Sequence, residues 1–148
     1  MEENDFKNIN RIKVFTDGGA LKNPGPAAIG VVVYDTNPPR KYKEFINKAT
    51  NNQAEYLAMI FALKKIKQIY GKDKCKLIEV EINSDSKIVV FHMKNIYKVR
   101  EDDIKNFFIE LHNLTLDFKN VEFNYIPREK NKLADSLVKD VLKNFKKF

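Results

Sequence analysis

Residues 11–34 read RIKVFTDGGALKNPGPAAIGVVVY, and their two apolar runs flank a segment of turn residues. The runs at 11–17 and 27–34 contain many β-branched side chains, which predicts two strands, the second of them buried. The Gly and Pro residues at 18–26 are typical of turns. A third strand is predicted at 41–47, after the break at Asn37-Pro38-Pro39. The chain is therefore predicted to open with a three-stranded meander.

The rest of the chain alternates helical and strand patterns. Ala58, Ala62 and Ile66 follow Glu55 at helical spacing, which predicts a helix at 52–70 with Glu55 on its inward side. Further helices are predicted at 86–95, 102–118 and 133–145, and further strands at 77–83 and 121–126. Hairpin-linked strands followed by alternating elements predict an α/β fold, a five-stranded mixed β-sheet flanked by α-helices.

Length and composition are those of one globular domain. The chain has 148 residues, of which 43% are hydrophobic and 32% charged, so it is too apolar for a disordered chain. Residues 1–10 are polar and predicted to be a flexible N-terminal segment, and 11–148 a single domain. Lys and Arg number 27 against 20 Asp and Glu. This net charge of +7 suits a polyanionic partner, although charge alone does not establish one.

Cysteine content and hydropathy indicate the compartment. The single cysteine, Cys75, excludes an intramolecular disulfide framework, which suits a reducing environment. No run approaches the ~18 apolar residues of a membrane span, and the first residues lack the pattern of a signal peptide. We therefore expect a cytoplasmic protein without a membrane partner, and a monomer.

Four acidic residues occupy positions where they can converge. Asp17 and Asp85 follow predicted strands, whose carboxyl ends are where open sheets place their sites. Glu55 and Asp135 lie near predicted helix starts. Singly, each has a structural explanation as a turn residue, an N-cap or a charge that favours the helix dipole. As a cluster they would repel one another unless Mg²⁺ neutralised them, and two such ions can clamp a phosphodiester during in-line displacement. The set points to nucleic-acid cleavage.

Four short motifs follow one another along the chain in the order that a known enzyme family shows. They are Thr16-Asp17-Gly18-Gly19 with Asn23-Pro24-Gly25-Pro26, then Thr50-Asn51-Asn52-Gln53-Ala54-Glu55, Asn83-Ser84-Asp85-Ser86, and Pro127-Arg128-Glu129-Lys130-Asn131-Lys132-Leu133-Ala134-Asp135. From about residue 11 to residue 145 the chain resembles a type 1 ribonuclease H. The resemblance implies the ribonuclease H-like fold and an endonuclease that hydrolyses the RNA strand of RNA–DNA hybrids, leaving 5′-phosphate and 3′-hydroxyl ends.

The resemblance also assigns roles to the four acids. Asp17 would contact both ions, Asp135 would complete the site of the ion that activates water, and Glu55 and Asp85 would hold the second ion. Two Mg²⁺ per site are expected with substrate, and Mn²⁺ is expected to substitute.

Recognition of the hybrid is assigned to a second set of residues. Asn23, Asn51 and Asn52 supply amides that can read a 2′-hydroxyl, although Asn-rich loops are often only turns. The resemblance implies that Lys48 and Thr50 bind a phosphate of the DNA strand. The full predicted set is Gly18, Asn23, Lys48, Thr50, Asn51, Asn52, Lys98, Arg100 and Arg128. Lys98 and Arg100 are candidate backbone contacts that a solvated charged face explains equally well.

Two departures from the family pattern are visible. The segment at 126–130 holds no histidine where many members carry a Gly-His loop, and His92 and His112 are expected to be surface or packing residues. Trp is absent, and only 93–100 stands where some members carry a basic protrusion that grips the hybrid. The chain therefore resembles the subset that lacks both features, and weaker substrate binding is expected.

Two other functions remain open. One is a catalytically silent module that binds hybrids, which the presence of all four acids disfavours. The other is a related nuclease on the same fold that resolves junctions or cuts double-stranded RNA. Asn51, Asn52 and the Asn-Pro-Gly-Pro loop favour the hybrid, and double-stranded RNA stays an alternative substrate.

Overall fold

Strands β1 (Arg11–Ala20), β2 (Gly25–Tyr34) and β3 (Arg40–Ala49) form the predicted antiparallel meander in the computed structural model, which describes residues 9–145. Strand β1 extends beyond its predicted end because residues 18–20 continue to pair with residues 27–29 of β2. The register sets Asp17 opposite Gly30. Most of the predicted N-terminal segment, residues 1–8, lies outside the described residues. The backbone carbonyl of Asn10 accepts a hydrogen bond of 2.9 Å from the N–H of Glu79.

Two further strands and five helices complete the part of the domain that lies within residues 9–145. The helices are α1 (Asn51–Tyr70), α2 (Lys72–Cys75), α3 (Lys87–Met93), α4 (Asp102–Thr115) and α5 (Lys132–Leu142), and the strands are β4 (Glu79–Ser84) and β5 (Asn120–Tyr125). A 3₁₀ turn at Arg128–Lys130 precedes α5. The sheet order is β3-β2-β1-β4-β5, with β4 parallel to β1 and to β5. The predicted five-stranded mixed sheet flanked by helices is confirmed.

The main core lies between the sheet and α1. Tyr56, Met59 and Leu63 of α1 are fully buried, and α4 adds Ile104 and Leu111. Helix α1 begins at Thr50, whose side chain accepts from the N–H of Gln53 while the Gln53 side chain accepts from the N–H of Thr50. This capping box fixes where the helix starts and therefore where Glu55 lies. No helix among residues 9–145 is long and apolar enough to span a bilayer.

Two glycines let helices approach the sheet closely. A Cβ at Gly18 would lie 2.4 Å from the backbone carbonyl of Ala54 in α1, and one at Gly30 would lie 2.4 Å from the carbonyl oxygen of Ala134 in α5. Real Cβ atoms do not approach backbone so closely, so any other residue would push the helix outwards. Since Ala54 and Ala134 directly precede Glu55 and Asp135, these contacts set the distance of both acids from the sheet.

Gly30→Ala should therefore destabilise the domain, because the added methyl group meets backbone that cannot move without α5. We expect a loss of about 1–3 kcal/mol in the free energy of unfolding, measured by urea denaturation. Gly19→Ala is the matched control, since its Cβ would meet only a Val138 methyl group at 3.6 Å. Equal losses in the two variants would show that the close approach of α5 does not carry the effect.

Candidate active site

The four predicted acids converge on one cleft. Asp17, Glu55 and Asp85 each offer a carboxylate oxygen within 4.8 Å of the others. Asp135 joins them in lining a cavity of about 460 Å³. The central strand supplies Asp17, the residue after β4 is Asp85, and helices α1 and α5 supply the other two. Asp85 directly follows β4 and Glu55 and Asp135 lie near helix starts, as predicted, whereas Asp17 lies within β1, three residues before its end, because residues 18–20 continue to pair with β2.

Burial and mutual repulsion perturb the acids. Burial, followed by the charges of Asp85 and Asp135, raises the pKa of Asp17 to about 7. Burial, and then the charge of Asp17, raises the pKa of Glu55 well above its ordinary value. The backbone N–H of Gly18 opposes both shifts by donating towards these carboxylates. Without an added cation, the cluster therefore favours holding protons near neutral pH.

Cations of the protein lie on one side of this cluster. The Lys139 ammonium lies 2.9 Å from one carboxylate oxygen of Asp135, and the Arg128 guanidinium lies 3.8 Å from the other. Burial raises the pKa of Asp85, and the charge of Arg128 opposes that rise. Arg128, predicted to contact nucleic acid, thus lies at the acid cleft.

The residues fit a hard divalent cation. Oxygen Oε1 of Glu55 is buried and has no hydrogen-bond partner among residues 9–145. A buried, unpaired carboxylate oxygen is costly, and carboxylate oxygens are the preferred ligands of Mg²⁺. Asp17, Glu55 and Asp85 could hold one such ion, and Asp17 with Asp135 could contribute to another.

Two residues that join the site were not predicted. Asn131, only 1% exposed, donates from Nδ2 to the carbonyl of Thr16 at 2.9 Å, directly before Asp17. Its backbone carbonyl accepts from the N–H of Asp135 at 3.1 Å, and its side chain opposes the rise in the pKa of Asp85. It stands in the fourth motif, four residues before Asp135, but that position carried no prediction for its side chain. Lys139 was also missed, although its spacing of four residues from Asp135 is a pattern that predicts an ion pair.

The predicted amides tie the turn after β1 to helix α1. Asn51 accepts at Oδ1 from the N–H of Ala20, and Asn23 accepts at Oδ1 from the N–H of Asn51, both at 2.9 Å. These bonds use the amide oxygens and leave the amide N–H groups as donors. Asn51 lines the acid cleft, whereas Asn23 and Asn52 line a neighbouring cavity of about 330 Å³.

The remaining predicted contacts are distributed over other surfaces. Thr50 lines the neighbouring cavity, and Lys48 is exposed near the end of β3. Lys98 and Arg100 line a third cavity, of about 480 Å³, apart from the acid cleft. Gly18 lines the cleft itself.

The two histidines lie away from the acids. His92 is buried, with Nδ1 2.7 Å from the Tyr56 hydroxyl, and burial lowers the pKa of His92. His112 is exposed and stacks on Phe108. Neither lines the acid cleft.

Comparisons with known proteins identify the family of the chain. The sequence pattern of the family described as reverse transcriptase-like matches residues 15–141. The structure of LC11-RNase H1, isolated from compost, is 38% identical with a TM-score of 0.80, over 92% of this chain and 98% of that one. The chain belongs to the type 1 ribonuclease H family. The N-terminal ribonuclease H domain of a Mycobacterium tuberculosis protein is similar at 30% identity with a TM-score of 0.81, over 91% and 95% of the two chains.

The curated relatives include longer proteins. A bifunctional protein of Mycobacterium tuberculosis is 32% identical over 137 residues, which is 89% of this chain and 35% of that protein. The chain thus spans about a third of the length of these relatives. Ribonuclease HI of Halobacterium salinarum is 31% identical over 134 residues, covering 89% of this chain and 64% of the relative.

Asp17→Asn should stabilise the metal-free protein at alkaline pH. With its pKa raised to about 7, folded Asp17 keeps a proton that the unfolded chain loses near pH ~4. The resulting stability is present below about pH 4 and is lost as pH rises to about 7. We expect the Tm of the parent in chelator to fall between about pH 5 and about pH 8, and that of the variant to fall less and exceed it at the higher pH.

Asp140→Asn serves as the control. Asp140 pairs with Lys43 and Lys143, and these partners lower its pKa to about 2. Its removal should give no gain at high pH. A metal-free Asp17→Asn protein that melts below the parent at about pH 8 would contradict the repulsion described above.

Proposed function

We propose that this chain is an endonuclease that hydrolyses the RNA strand of RNA–DNA hybrids with Mg²⁺, leaving 5′-phosphate and 3′-hydroxyl ends. The observation that carries the proposal is the convergence of three carboxylates within 4.8 Å, two of them buried, beside amides that can read a nucleic-acid strand. The relative LC11-RNase H1, 40% identical with a TM-score of 0.80 over 87% of this chain and 94% of that one, has been solved in complex with an RNA/DNA hybrid.

Metal binding would use all four acids. Asp17 would contact both ions, Glu55 and Asp85 would hold the ion on the leaving-group side, and Asp135 would hold the ion on the side of the attacking water. When bound, Mg²⁺ supplies charge neutralisation and an activated water, and Mn²⁺ would serve in the same way. Asn131 would hold the Thr16–Asp17 backbone in place through its hydrogen bond to the carbonyl of Thr16.

Substrate would be positioned by neutral donors near the acids. The amide N–H groups of Asn51 and Asn23 can donate to 2′-hydroxyls or base edges, and such groups distinguish RNA from DNA. Asn52 would contribute from the adjacent cavity. Arg128 lies at the cleft, where a guanidinium can pair with a phosphate beside the cut. Gly18 lines the cleft, where its backbone could contact the substrate.

The decisive test is cleavage of matched RNA–DNA, RNA–RNA and DNA–DNA duplexes of one sequence, with Mg²⁺ or Mn²⁺ and with chelator. We expect metal-dependent cutting of the hybrid, with end chemistry verified by labelling, and nearly complete loss in Asp17→Asn. Preferential cutting of the RNA duplex would instead support the alternative substrate. Tight binding of the hybrid without cleavage under either metal would support the silent module and contradict the proposal.

The cavity beside Thr50, where a phosphate of the DNA strand is expected to bind, is lined by acidic side chains. Thr50 and Asn51 lie at the N-terminus of α1, where the helix dipole favours an anion. Glu101 and Asp103 line the same cavity, and their carboxylates repel phosphate. Lys48 is not among the described residues that line it. We therefore infer that a phosphate of the uncut strand is held weakly there.

Glu101→Gln should tighten binding of the hybrid. Removing one exposed like charge is worth roughly twofold to fivefold in Kd, measured by fluorescence anisotropy in chelator. The gain should shrink as salt rises, because screening weakens the parent's repulsion. Glu44→Gln, which makes the same charge change at an exposed position of β3, is the matched control. Equal gains in both variants would point to net charge rather than to this cavity.

A further inference from the structure

Exposed apolar side chains gather on one side of the acid cleft. Ile88 is 44% exposed, Ile96 58%, Tyr97 40% and Tyr125 48%. Ile88, Ile96 and Tyr97 line one cavity of about 480 Å³. Scattered apolar residues on a surface need no explanation, whereas a shared patch marks an interaction site. We call these four residues the tyrosine rim.

Phe91 connects the two tyrosines of the rim. The ring of Tyr97 packs edge-on against Phe91 with centroids 5.1 Å apart, and Tyr125 does the same at 6.1 Å. Tyr125 also lines the acid cleft. The rim therefore begins at the edge of the cleft and continues away from it, over the segment between α3 and α4.

The charges around the rim are mainly positive. The Lys87 ammonium lies 5.6 Å from the centre of the Phe91 ring. Lys98 and Arg100 line the rim cavity, and Glu101 is the single carboxylate among the described residues that line it. Aromatic rings alternating with cations complement a polyanion that also offers flat apolar faces.

Unpaired nucleic acid has this chemistry, and a duplex does not. Within a duplex each base is covered by its neighbours, so the outer surface offers phosphates, sugars and groove edges. Cations and amides suffice to bind that surface. An unpaired strand exposes base faces, which stack on aromatic side chains irrespective of sequence. The exposed rings and isoleucines are therefore accounted for by an unpaired strand.

We propose that the tyrosine rim binds an unpaired nucleic-acid extension that continues from the hybrid held in the acid cleft. This inference rests on the proposed function, and it adds a substrate class: hybrids flanked by single strands, as opposed to blunt ones. Tyr97 would stack on a base, while Lys98 and Arg100 would follow the backbone.

The experiment compares one blunt hybrid with four versions that carry an unpaired extension of about 6 nucleotides at the 5′ or 3′ end of the RNA or the DNA strand. We measure kcat and KM with Mg²⁺ for the parent, Tyr97→Ala and Tyr97→Phe. At least one extension should lower the parent's KM by roughly fivefold or more, the smaller end of the range for stacking one base. Tyr97→Ala should lose that gain and keep the parent's kcat and KM on the blunt hybrid. Tyr97→Phe, which keeps the ring, should retain the gain.

Other results would overturn either this inference or the proposed function. Equal KM values for all five substrates in the parent would overturn the inference, and so would a gain that survives in Tyr97→Ala. A rim that docks a protein partner would give the first of these results. If the parent does not cut the blunt hybrid at all, the proposed function fails, a result distinct from cutting without an effect of the extensions. Circular dichroism and thermal melting verify that the variants are folded.

Discussion

Mutual repulsion between buried carboxylates is the constraint on which the rest of this structure depends. Three side chains from β1, α1 and the end of β4 bring oxygens within 4.8 Å of one another, and Asp17 and Glu55 are almost fully buried. Like charges at such a distance would separate if their backbones could move. They do not separate because β1 is the central strand, hydrogen-bonded on both sides to β2 and β4. The sheet therefore stores an unfavourable interaction that a cation relieves.

Helices α1 and α5 are held against β1 and β2 by contacts that leave no room for side chains. Gly18 meets the backbone of α1 just before Glu55, and Gly30 meets the backbone of α5 just before Asp135. Gly18 follows Asp17 in sequence, and Gly30 lies opposite Asp17 on the neighbouring strand β2. Both close contacts are therefore adjacent to Asp17. Close packing thus sets how near the helices come to the sheet, while the capping box of α1 and the buried hydrogen bond from Asn131 to β1 fix the starts of the two helices.

Much of this could be predicted from sequence because it depends on local pattern. Alternating and helical periodicities predicted the five strands and the long helices, and the four motifs identified the acids in the correct elements. The ends of elements were less accurate: α4 ends at Thr115 rather than near residue 118, and β1 continues through Ala20 because β2 pairs with it. The contact of Asn131 with Thr16 could not be predicted, because these residues are far apart in sequence. The same holds for Glu101 and Asp103, which line one cavity with Thr50. The distance of Lys98 and Arg100 from the acid cleft is likewise set by tertiary packing.

Cationic side chains of the protein neutralise some of the four acids in the cleft more than others. Lys139 and Arg128 both contact Asp135, and Arg128 also opposes the rise in the pKa of Asp85. At Asp17 and Glu55 no such cation acts among the described residues; the opposing contribution is the Gly18 N–H, and their pKa values rise most clearly. The chain carries a net charge of +7, so it has enough cationic side chains, but none of those described lies where it would lower the pKa of Asp17 or Glu55. An added divalent cation therefore relieves the most repulsion beside Asp17 and Glu55, whereas beside Asp135 it must compete with an ammonium group already 2.9 Å away.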